Sequence, residues 1–296
     1  MDKVLITGST GFLGKDIVKF IREKTDCTFT SVGRSKENDI IIDLSKARPK
    51  ISQVYDVVIH AAGKAHLIPK TDIEKEEFFN VNYLGTKNLL KGLENNMPDT
   101  FIFISTVSVY GVDFGEMIDE SFPLNGTSPY ALSKIKAERE VSNFCRNNNV
   151  NCVILRLPLV AGENPPGNLG AMIKAIKKGY YFRIGKGQAR KSIVSAQDIA
   201  QFIPHLYGKN GIYNLTDTLH PTFKEIEDYI ASKFNRKIIK LPQVLFFVLA
   251  KIGDVLPFFI INTDKLHKIT KSLTFSNEKA IKELGWSPSS ALQSIK

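Results

Sequence analysis

The chain has 296 residues, of which 43% are hydrophobic and 24% are charged. This length and composition are typical of a globular protein with a large core, arranged as one large domain or two modest ones. The net charge of +10 suits anionic ligands, but no nucleic-acid-binding motif accompanies it, so we expect no nucleic-acid partner. Cys27, Cys145 and Cys152 lack metal-ligand spacing, which argues against a bound metal and against a disulfide framework.

Two segments of the chain are informative about its localisation. The N-terminus enters an apolar strand at once, without the pattern of a signal peptide, so we expect a cytoplasmic protein. The stretch from Val244 to Ile261 is strongly apolar but contains Lys251, Asp254 and Pro257. A continuous membrane span needs roughly 20 mainly apolar residues. This stretch therefore predicts a buried helix pair, with peripheral membrane contact as the alternative.

The first predicted element is a strand at Val4–Ile6, followed by a turn with glycines at positions 8, 11 and 14 and then by apolar residues at helical spacing. A glycine-rich turn between a strand and a helix is typical of a dinucleotide site. Gly8 permits the tight turn, Gly11 lets the backbone approach a pyrophosphate, and Gly14 allows close packing of the helix. Thr10, Phe12 and Leu13 of the same turn are also predicted to contact the cofactor.

The second predicted strand ends at Gly33-Arg34, where NAD-binding chains usually carry an acidic residue for the ribose hydroxyls. Arg34 is suited instead to a 2′-phosphate, which favours NADP over NAD. A solvated loop arginine is the structural alternative. Asp43 follows Ile40–Ile42 and is predicted to contact the adenine end of the cofactor, or else to cap the next helix.

Apolar runs predict the sheet. They occur at Val4–Ile6, Phe29–Val32, Ile40–Ile42, Val57–His60, Phe101–Ser105 and Cys152–Leu155. Most of them alternate with helical patterns, which predicts an α/β fold with a doubly wound parallel Rossmann sheet. We assign residues 1–160 to the cofactor-binding domain, with 191–220 returning to it. Residues 161–190 and 221–296 are predicted to form a smaller C-terminal substrate-binding region.

The predicted catalytic pair is Tyr130 and Lys134. Their spacing of four places both side chains on one face of a helix. A nearby ammonium favours the phenolate form of a tyrosine, whose ordinary pKa is about 10. Such a pair can exchange a proton with a substrate, although this spacing also arises often by chance.

Three hydroxyl residues follow the buried run that begins at Phe101. Thr106 is the leading candidate to hydrogen-bond a substrate oxygen, Ser105 is its nearest rival, and Ser108 is a weaker one. All three lie at the predicted carboxyl edge of the sheet, where open α/β sheets bind ligands. Capping of the strand end is the structural alternative for each.

These features resemble the extended short-chain dehydrogenase/reductase family, and in particular its nucleotide-sugar epimerase and reductase branch. The resemblance covers nearly the whole chain. Its matching segments are TGSTGFLG, His60-Ala61-Ala62-Gly63, Asn82-Tyr83-Leu84-Gly85-Thr86, STVSVYG, SPYALSK, Arg156-Leu157-Pro158, Gly185 to Arg190, Asp198 and Leu284-Gly285-Trp286-Ser287-Pro288.

The resemblance implies a role for each matching residue. Tyr130 would be the acid/base, Lys134 would lower its pKa and hold the ribose, and Thr106 would orient the sugar oxygen. Arg190 would bind the nucleotide diphosphate, with a surface arginine as the alternative. The remaining implied cofactor contacts are Ala61, Ala62, Gly63, Asn82, Ser105 and Pro158, and the remaining substrate contacts are Ser108 and Asn168. Family members are often dimers, which allows for a homodimer here.

Departures from the family pattern narrow the predicted reaction. The 4,6-dehydratases carry an Asp-Glu pair where this chain has Val107 and Ser108, and many epimerases carry Asn where it has Leu159. Together with Arg34, these differences favour an NADPH-dependent reductase of a 4-keto group on a nucleotide-linked deoxysugar. The alternatives are an NAD-dependent nucleotide-sugar 4-epimerase and a non-catalytic cofactor-sensing protein.

Overall fold

A computed structural model describes residues 1–65, 67–242, 266 and 269–296. The strands are β1 (Lys3–Thr7), β2 (Thr28–Gly33), β3 (Ile40–Ile41), β4 (Val57–His60), β5 (Thr100–Thr106), β6 (Gly115–Ile118), β7 (Asn151–Leu157), β8 (Leu159–Ala161), β9 (Phe182–Ile184), β10 (Ile193–Ser195), β11 (Gly211–Asn214), β12 (Ile239–Leu241) and β13 (Leu273–Phe275). The α-helices are α1 (Phe12–Lys24), α2 (Asp72–Phe78), α3 (Gly85–Leu93), α4 (Pro129–Asn147), α5 (Gly167–Lys178), α6 (Ala196–Phe202), α7 (Phe223–Lys233) and α8 (Glu278–Leu284). A π-helix spans Phe79–Leu84, and 3-10 turns span Val107–Tyr110, Ile203–Leu206 and Ala291–Ser294.

The central sheet has seven parallel strands in the order β11-β7-β5-β4-β1-β2-β3. The chain moves outward from β1 to β3 and then returns to the other side of β1 at β4. This reversal is the switch point at which open α/β sheets bind ligands, outside the carboxyl ends of the strands. The predicted doubly wound parallel α/β fold is confirmed.

The two faces of the sheet follow from the alternation of side chains along each strand. Val4 and Ile6 belong to a buried cluster that includes Ile17 and Ile21 of α1. Leu5, between them, belongs to a second cluster that includes residues of α3 and α4. Because both faces are covered by helices, the strands are continuous apolar runs, as expected for a buried parallel sheet.

All six predicted strands are present, with ends that differ by at most two residues. Ile42 lies just outside β3, yet its amide donates to the Gly33 carbonyl at 2.9 Å. Within the predicted return segment, β11 pairs with β7 at one edge of the central sheet. β10 instead pairs with β8 in a separate two-stranded sheet, because Ile193–Ser195 aligns with Leu159–Ala161 beyond the end of β7.

Two further pairs, β9 with β12 and β6 with β13, lie outside the central sheet. A third buried cluster joins α5 and α7 through Leu169, Ile176, Ile226 and Ile230. In the described part of the chain, no helix is long and apolar enough to cross a membrane. The predicted helix pair at Val244–Ile261 lies outside the described residues.

Candidate functional site

The glycine turn between β1 and α1 is too crowded for side chains. Gly8 has a φ of +76°, and a Cβ there would lie 2.6 Å from the amide nitrogen of Ala62. A Cβ on Gly14 would lie 2.0 Å from the carbonyl oxygen of Gly8. Gly11 caps α1 without a side-chain hydrogen bond, and the first turn of α1 carries no acidic residue. Such a helix N-terminus fits a pyrophosphate. Thr10 and Gly11 are exposed at this turn, and Phe12 and Leu13 are half-buried.

The loop after β2 lies beside this turn, since β1 and β2 are parallel neighbours. Arg34 is exposed there, as a contact for a cofactor phosphate requires. The hydroxyl of Ser9 donates to Asn38 Oδ1 at 2.8 Å, and Asn38 Nδ2 donates to the Ser35 carbonyl at 2.9 Å. These bonds hold the loop after β2 against the glycine turn. Neither Ser9 nor Asn38 was predicted, because the bonds join segments that share no motif.

Asp43 caps a turn. Its Oδ1 accepts from the amide of Ser45 at 3.0 Å and from the Ser45 hydroxyl at 2.6 Å, which lowers the pKa of the carboxyl group. The capped segment is a turn at residues 44–46 and not a helix. A contact between Asp43 and the adenine end of the cofactor stays a prediction.

Tyr130 and Thr106 meet at the carboxyl edge of the sheet. Ser128 caps α4 by accepting from the Ala131 amide at 3.2 Å, and Pro129 occupies the first turn, so the helix begins just before Tyr130. Thr106 ends β5 and is 7% exposed. Burial raises the pKa of Tyr130, and a hydrogen bond with Thr106 opposes part of that rise. The phenol therefore keeps its proton at neutral pH.

Lys134 lies one turn after Tyr130, at the predicted position, but its partners differ from those expected. Its Nζ donates to the Ile104 carbonyl at 2.6 Å and lies 3.8 Å from the centroid of the Phe103 ring. Burial lowers the pKa of Lys134 to about 7, against the opposing charge of Glu138. Burial is the largest influence on the pKa of Tyr130. A lowering of that pKa by Lys134 stays a prediction.

Ser105 is hydrogen-bonded to a buried ion pair. Its hydroxyl donates to Glu138 of α4, whose carboxylate also accepts from Arg156 of β7. The Arg156–Glu138 contacts are 2.8 Å and 3.2 Å, and both residues are at most 3% exposed. This bidentate pair fixes α4, and therefore Tyr130, against β5 and β7. Sequence reasoning missed Glu138, although it lies four residues after Lys134 on the same face of the helix.

His60 links β1 to α3 in a chain of hydrogen bonds with a defined direction. Thr86 Oγ1 donates to the Asn82 carbonyl at 2.6 Å and therefore accepts from His60 Nε2 at 2.8 Å. Thr7 Oγ1 lies 2.6 Å from His60 Nδ1 and accepts from the Ala62 amide at 3.2 Å. Because Thr7 then donates to Nδ1, the imidazole is neutral with its hydrogen on Nε2. Burial lowers the pKa of His60 to about 3.

Asn82 extends this chain to α4, the helix that carries Tyr130 and Lys134. It lies in the π-helix and is 1% exposed. Its Oδ1 accepts from the Lys64 amide at 2.7 Å, and its Nδ2 donates to the Lys64 carbonyl and to Ser133 Oγ at 3.0 Å and 2.9 Å. Ser133 Oγ in turn donates to the Tyr130 carbonyl at 2.8 Å. The Asn82 amide thus holds the loop after β4 against α4.

The other predicted cofactor contacts border this chain. Ala61 and Ala62 are half-buried and Gly63 is exposed in the loop that Asn82 holds. A Cβ on Gly63 would lie 3.2 Å from Asn82 Oδ1. Pro158 is half-buried between β7 and β8. The ends of β1, β4 and β5 bring this loop, the glycine turn and Thr106 to the same edge of the sheet.

The predicted substrate contacts are spread more widely. Ser108 is exposed one turn beyond Thr106, whose side chain accepts from the Ser108 amide. Asn168 is exposed in the first turn of α5. Arg190 is also exposed, and its Nη1 donates to the His220 carbonyl at 3.0 Å. Across residues 1–65, 67–242, 266 and 269–296, no group of acidic, histidine or cysteine side chains could hold a metal ion.

Comparison with known proteins identifies relatives of the whole chain. Residues 4–216 match the model of the NAD dependent epimerase/dehydratase family. A UDP-glucose 4-epimerase of Vibrio cholerae is 25% identical over 308 residues, covering 98% of this chain and 92% of that protein. A GDP-6-deoxy-D-talose 4-dehydrogenase of Aggregatibacter actinomycetemcomitans is 25% identical over 218 residues, covering 70% of each chain.

The fold is also that of solved structures. RMD from Pseudomonas aeruginosa, complexed with NADPH, superposes with a TM-score of 0.74 at 20% identity, over 99% of this chain and 96% of that chain. The resemblance inferred from the motifs is confirmed by these matches.

Proposed function

We propose, from the premise that this chain belongs to the NAD dependent epimerase/dehydratase family, that it reduces the 4-keto group of a nucleotide-linked deoxysugar with NADPH. The residues at the end of β5 are the main observation that supports this proposal. Thr106 opposes part of the rise in the pKa of Tyr130 while its own hydroxyl donates to Ser108 Oγ at 3.1 Å, and the next residues, Val107 and Ser108, supply no carboxylate. The resemblance assigns removal of water to an Asp-Glu pair at those two positions. Reduction of a ketone by hydride transfer needs only one proton donor, which must lie at the ketone oxygen.

The state of Tyr130 supports the direction of the reaction. Reduction needs a protonated phenol, because the oxygen of the ketone must receive a proton as hydride reaches its carbon. Burial raises the pKa of Tyr130 and so favours that protonated form. In the proposed reaction Tyr130 donates its proton to the developing alkoxide while Thr106 orients the same oxygen. The products are the alcohol and the oxidised cofactor, and the Tyr130 phenolate regains its proton from solvent before the next turnover.

The residues at the cofactor site fit a dinucleotide, since the turn has no room for a Cβ at Gly8 or Gly14 and its helix end lacks a side-chain cap. Reduced nicotinamide supplies the hydride when bound. We propose NADPH because Arg34 is exposed at the end of β2, next to the glycine turn. Lys134 would hold the ribose, and the amide of Asn82 would act by positioning the loop that contains Ala62. NAD is the alternative cofactor.

The substrate would lie across the carboxyl edge, towards residues outside the central sheet. We assign its binding region to residues 161–190 and 221–296, with Asn168 as a contact from α5. Arg190 would bind the diphosphate, which is supported by its exposed guanidinium. A homodimer is proposed on the resemblance alone.

A nucleotide-sugar 4-epimerase is the second candidate, because the relative from Vibrio cholerae is named as one. The relative named as a 4-dehydrogenase supports the reductase, since a 4-dehydrogenase run in reverse reduces a 4-keto group. The two functions make different demands on the cofactor. An epimerase returns its hydride and can retain NAD, whereas a reductase must release the oxidised cofactor after each turnover.

The test is to follow NADPH and NADH oxidation by the purified protein with UDP-, dTDP- and GDP-linked 4-keto-6-deoxysugars, and to measure the mass of each product. We expect oxidation of NADPH together with a product that gains two hydrogen atoms. Interconversion of unreduced UDP-sugars by protein with tightly bound NAD would establish the epimerase instead. Cofactor binding without turnover of any nucleotide sugar would indicate a cofactor-sensing protein.

A further inference from the structure

The pair of strands β9 and β12 has one face turned towards α7 and one face turned away from it. Ile239 lies beside Phe182 in the parallel register of the pair. The next residue of β9, Arg183, is buried and pairs with Glu227 of α7. Because side chains alternate along a strand, Phe182 and Ile239 point to the opposite face, away from α7.

Three large apolar side chains are exposed on this outward side. Tyr180 is 56% exposed, Phe182 is 44% exposed and Ile239 is 58% exposed. The neighbouring Tyr181 and Ile238 face inward instead: Tyr181 is hydrogen-bonded to α7, and Ile238 packs against the cluster that joins α5 and α7. The three outward side chains therefore form an exposed apolar patch.

Four exposed cations lie next to this patch. Lys177 and Lys178 end α5 just before Tyr180, and Arg236 and Lys237 come just before β12. Arg236 Nε donates to the Lys177 carbonyl at 3.0 Å, which brings the two basic segments together. We call these four cations and the three apolar side chains the β9/β12 surface.

The sequence around this surface contains no acidic residue that would offset the cations. Residues 167–187 and 229–242 include neither Asp nor Glu. The carboxylates of α7 that reach β9, those of Glu227 and Asp228, are paired with the guanidinium of Arg183. The positive charge of the surface is therefore available to an anionic partner.

We propose that the β9/β12 surface docks the protein on the anionic phospholipids of a membrane, with Tyr180, Phe182 and Ile239 entering the headgroup region. Lysine and arginine side chains are attracted to the negative surface of such a leaflet, and aromatic rings are enriched at the level of the headgroups. The contact is peripheral, because side chains from two strands of three residues each reach only into the headgroup region. The inference does not depend on the reaction that the protein catalyses.

The composition of the surface favours a membrane over two other occupants. A second copy of the chain, docked through the same surface, would place four cations against four cations, which repel one another. A nucleic-acid duplex would neutralise the cations, yet its phosphates offer no apolar surface to Phe182 and Ile239. An anionic bilayer offers both negative charge and an apolar interior.

The test is flotation of the full-length protein with vesicles of phosphatidylcholine alone and of phosphatidylcholine with phosphatidylglycerol. We expect binding to the anionic vesicles only, and weaker binding at higher salt concentration. Lys178→Gln/Lys237→Gln should weaken this binding by roughly 10- to 50-fold, since each basic residue near an anionic leaflet contributes about fivefold. The matched control, Lys91→Gln/Lys209→Gln, removes the same charge from exposed positions elsewhere and should bind nearly as well as wild type.

The apolar part of the surface is tested separately. Phe182→Ser/Ile239→Ser should weaken binding to anionic vesicles by roughly 10-fold or more, because two apolar side chains lose their burial in the bilayer. Val54→Ser/Ile73→Ser, at positions that are 54% and 73% exposed, is the control. In a Phe182→Trp variant, the new indole should shift its fluorescence to shorter wavelength when anionic vesicles are added. Trp286, the one natural tryptophan, is buried and should not respond.

The outcomes decide between the occupants. Failure of the wild-type protein to bind anionic vesicles would overturn the proposal, and so would wild-type affinity of both surface variants, because the contact would then use another surface. Binding of single-stranded polyuridine that is lost in Lys178→Gln/Lys237→Gln, without binding of vesicles, would assign the surface to nucleic acid instead. Turnover of soluble nucleotide sugars by the wild-type protein, measured without vesicles, tests the proposed function independently of these results.

Discussion

Two buried histidines, one in the central sheet and one outside it, differ in how completely their ring nitrogens are hydrogen-bonded. Both nitrogens of His60, in the central sheet, are bonded, to Thr7 and to Thr86. His220, outside that sheet, has one bonded nitrogen and one without a partner. Burial lowers the pKa of both imidazoles, so both rings are neutral, and the difference between them lies only in their partners.

This difference separates an imidazole whose two nitrogens are both paired from one that keeps an unpaired nitrogen. Around His60, the hydrogen bonds from Ala62 to Tyr130 are made within the protein itself, which fixes the position of α4. Around His220, the ring nitrogen Nε2 has no hydrogen-bond partner in the described part of the chain. Substitutions that leave a donor or acceptor of the first region unpaired should therefore lower the free energy of unfolding.

The largest expected effect is at Tyr130. Tyr130→Phe removes the proton donor and should lower kcat by about 10²- to 10⁴-fold, the usual contribution of a general acid. NADPH binding, measured by fluorescence titration, should change little. Tyr83→Phe is the matched control, since Tyr83 donates to Glu140 on the outer side of α4. Loss of cofactor binding together with turnover would show that Tyr130 holds the fold and not the substrate.

The second-largest expected effect is a loss of folding stability at Glu138. Glu138→Gln leaves the Arg156 guanidinium buried without its counter-charge and should lower the free energy of unfolding by about 3–5 kcal/mol. Chemical denaturation measures this change. Glu140→Gln, two residues further along α4 and only half-buried, should cost far less. Equal costs for the two substitutions would mean that the buried ion pair contributes nothing specific.

A smaller effect is expected at Thr86, within the chain of bonds that contains His60. Thr86→Val keeps the shape of the side chain but leaves His60 Nε2–H without an acceptor, and it should lower the free energy of unfolding by about 1–3 kcal/mol. Thr86→Ser restores the hydroxyl and should recover most of this loss. If Thr86→Ser were as unstable as Thr86→Val, the methyl group and not the hydrogen bond would be the important feature.

Much of this architecture was predictable from local pattern. Apolar runs located all six predicted strands, and the spacing of Tyr130 and Lys134 placed them on one face of α4. The environment of those groups was not predictable. Lys134 donates to a backbone carbonyl of β5, and burial sets the pKa of Tyr130, because both depend on how α4 packs against the sheet.

The last prediction concerns His60, whose imidazole should not titrate between pH 7 and pH 5. Its pKa is lowered to about 3, so the ring signals of His60 in NMR spectra should stay constant from pH 7 to pH 5. The unfolded chain binds a proton at the ordinary value of about 6.5, so this group should destabilise the protein as the pH falls from 6.5 towards 3. A midpoint near 6.5 in the folded protein would contradict the fully bonded, neutral imidazole.

The sequence by itself determined the elements that depend on neighbouring residues: the apolar strands, the glycine-rich turn between strand and helix, and the helix that carries Tyr130 and Lys134. The tertiary structure alone decided the contacts between distant segments. Asn82 meets Lys64 and Ser133, Glu138 meets Arg156, and β10 pairs with β8 instead of joining the central sheet. The periodicity of apolar residues indicates which face of a helix or strand is buried. The hydrogen-bond partner of a buried polar group, in contrast, is fixed only when separate helices and strands pack together.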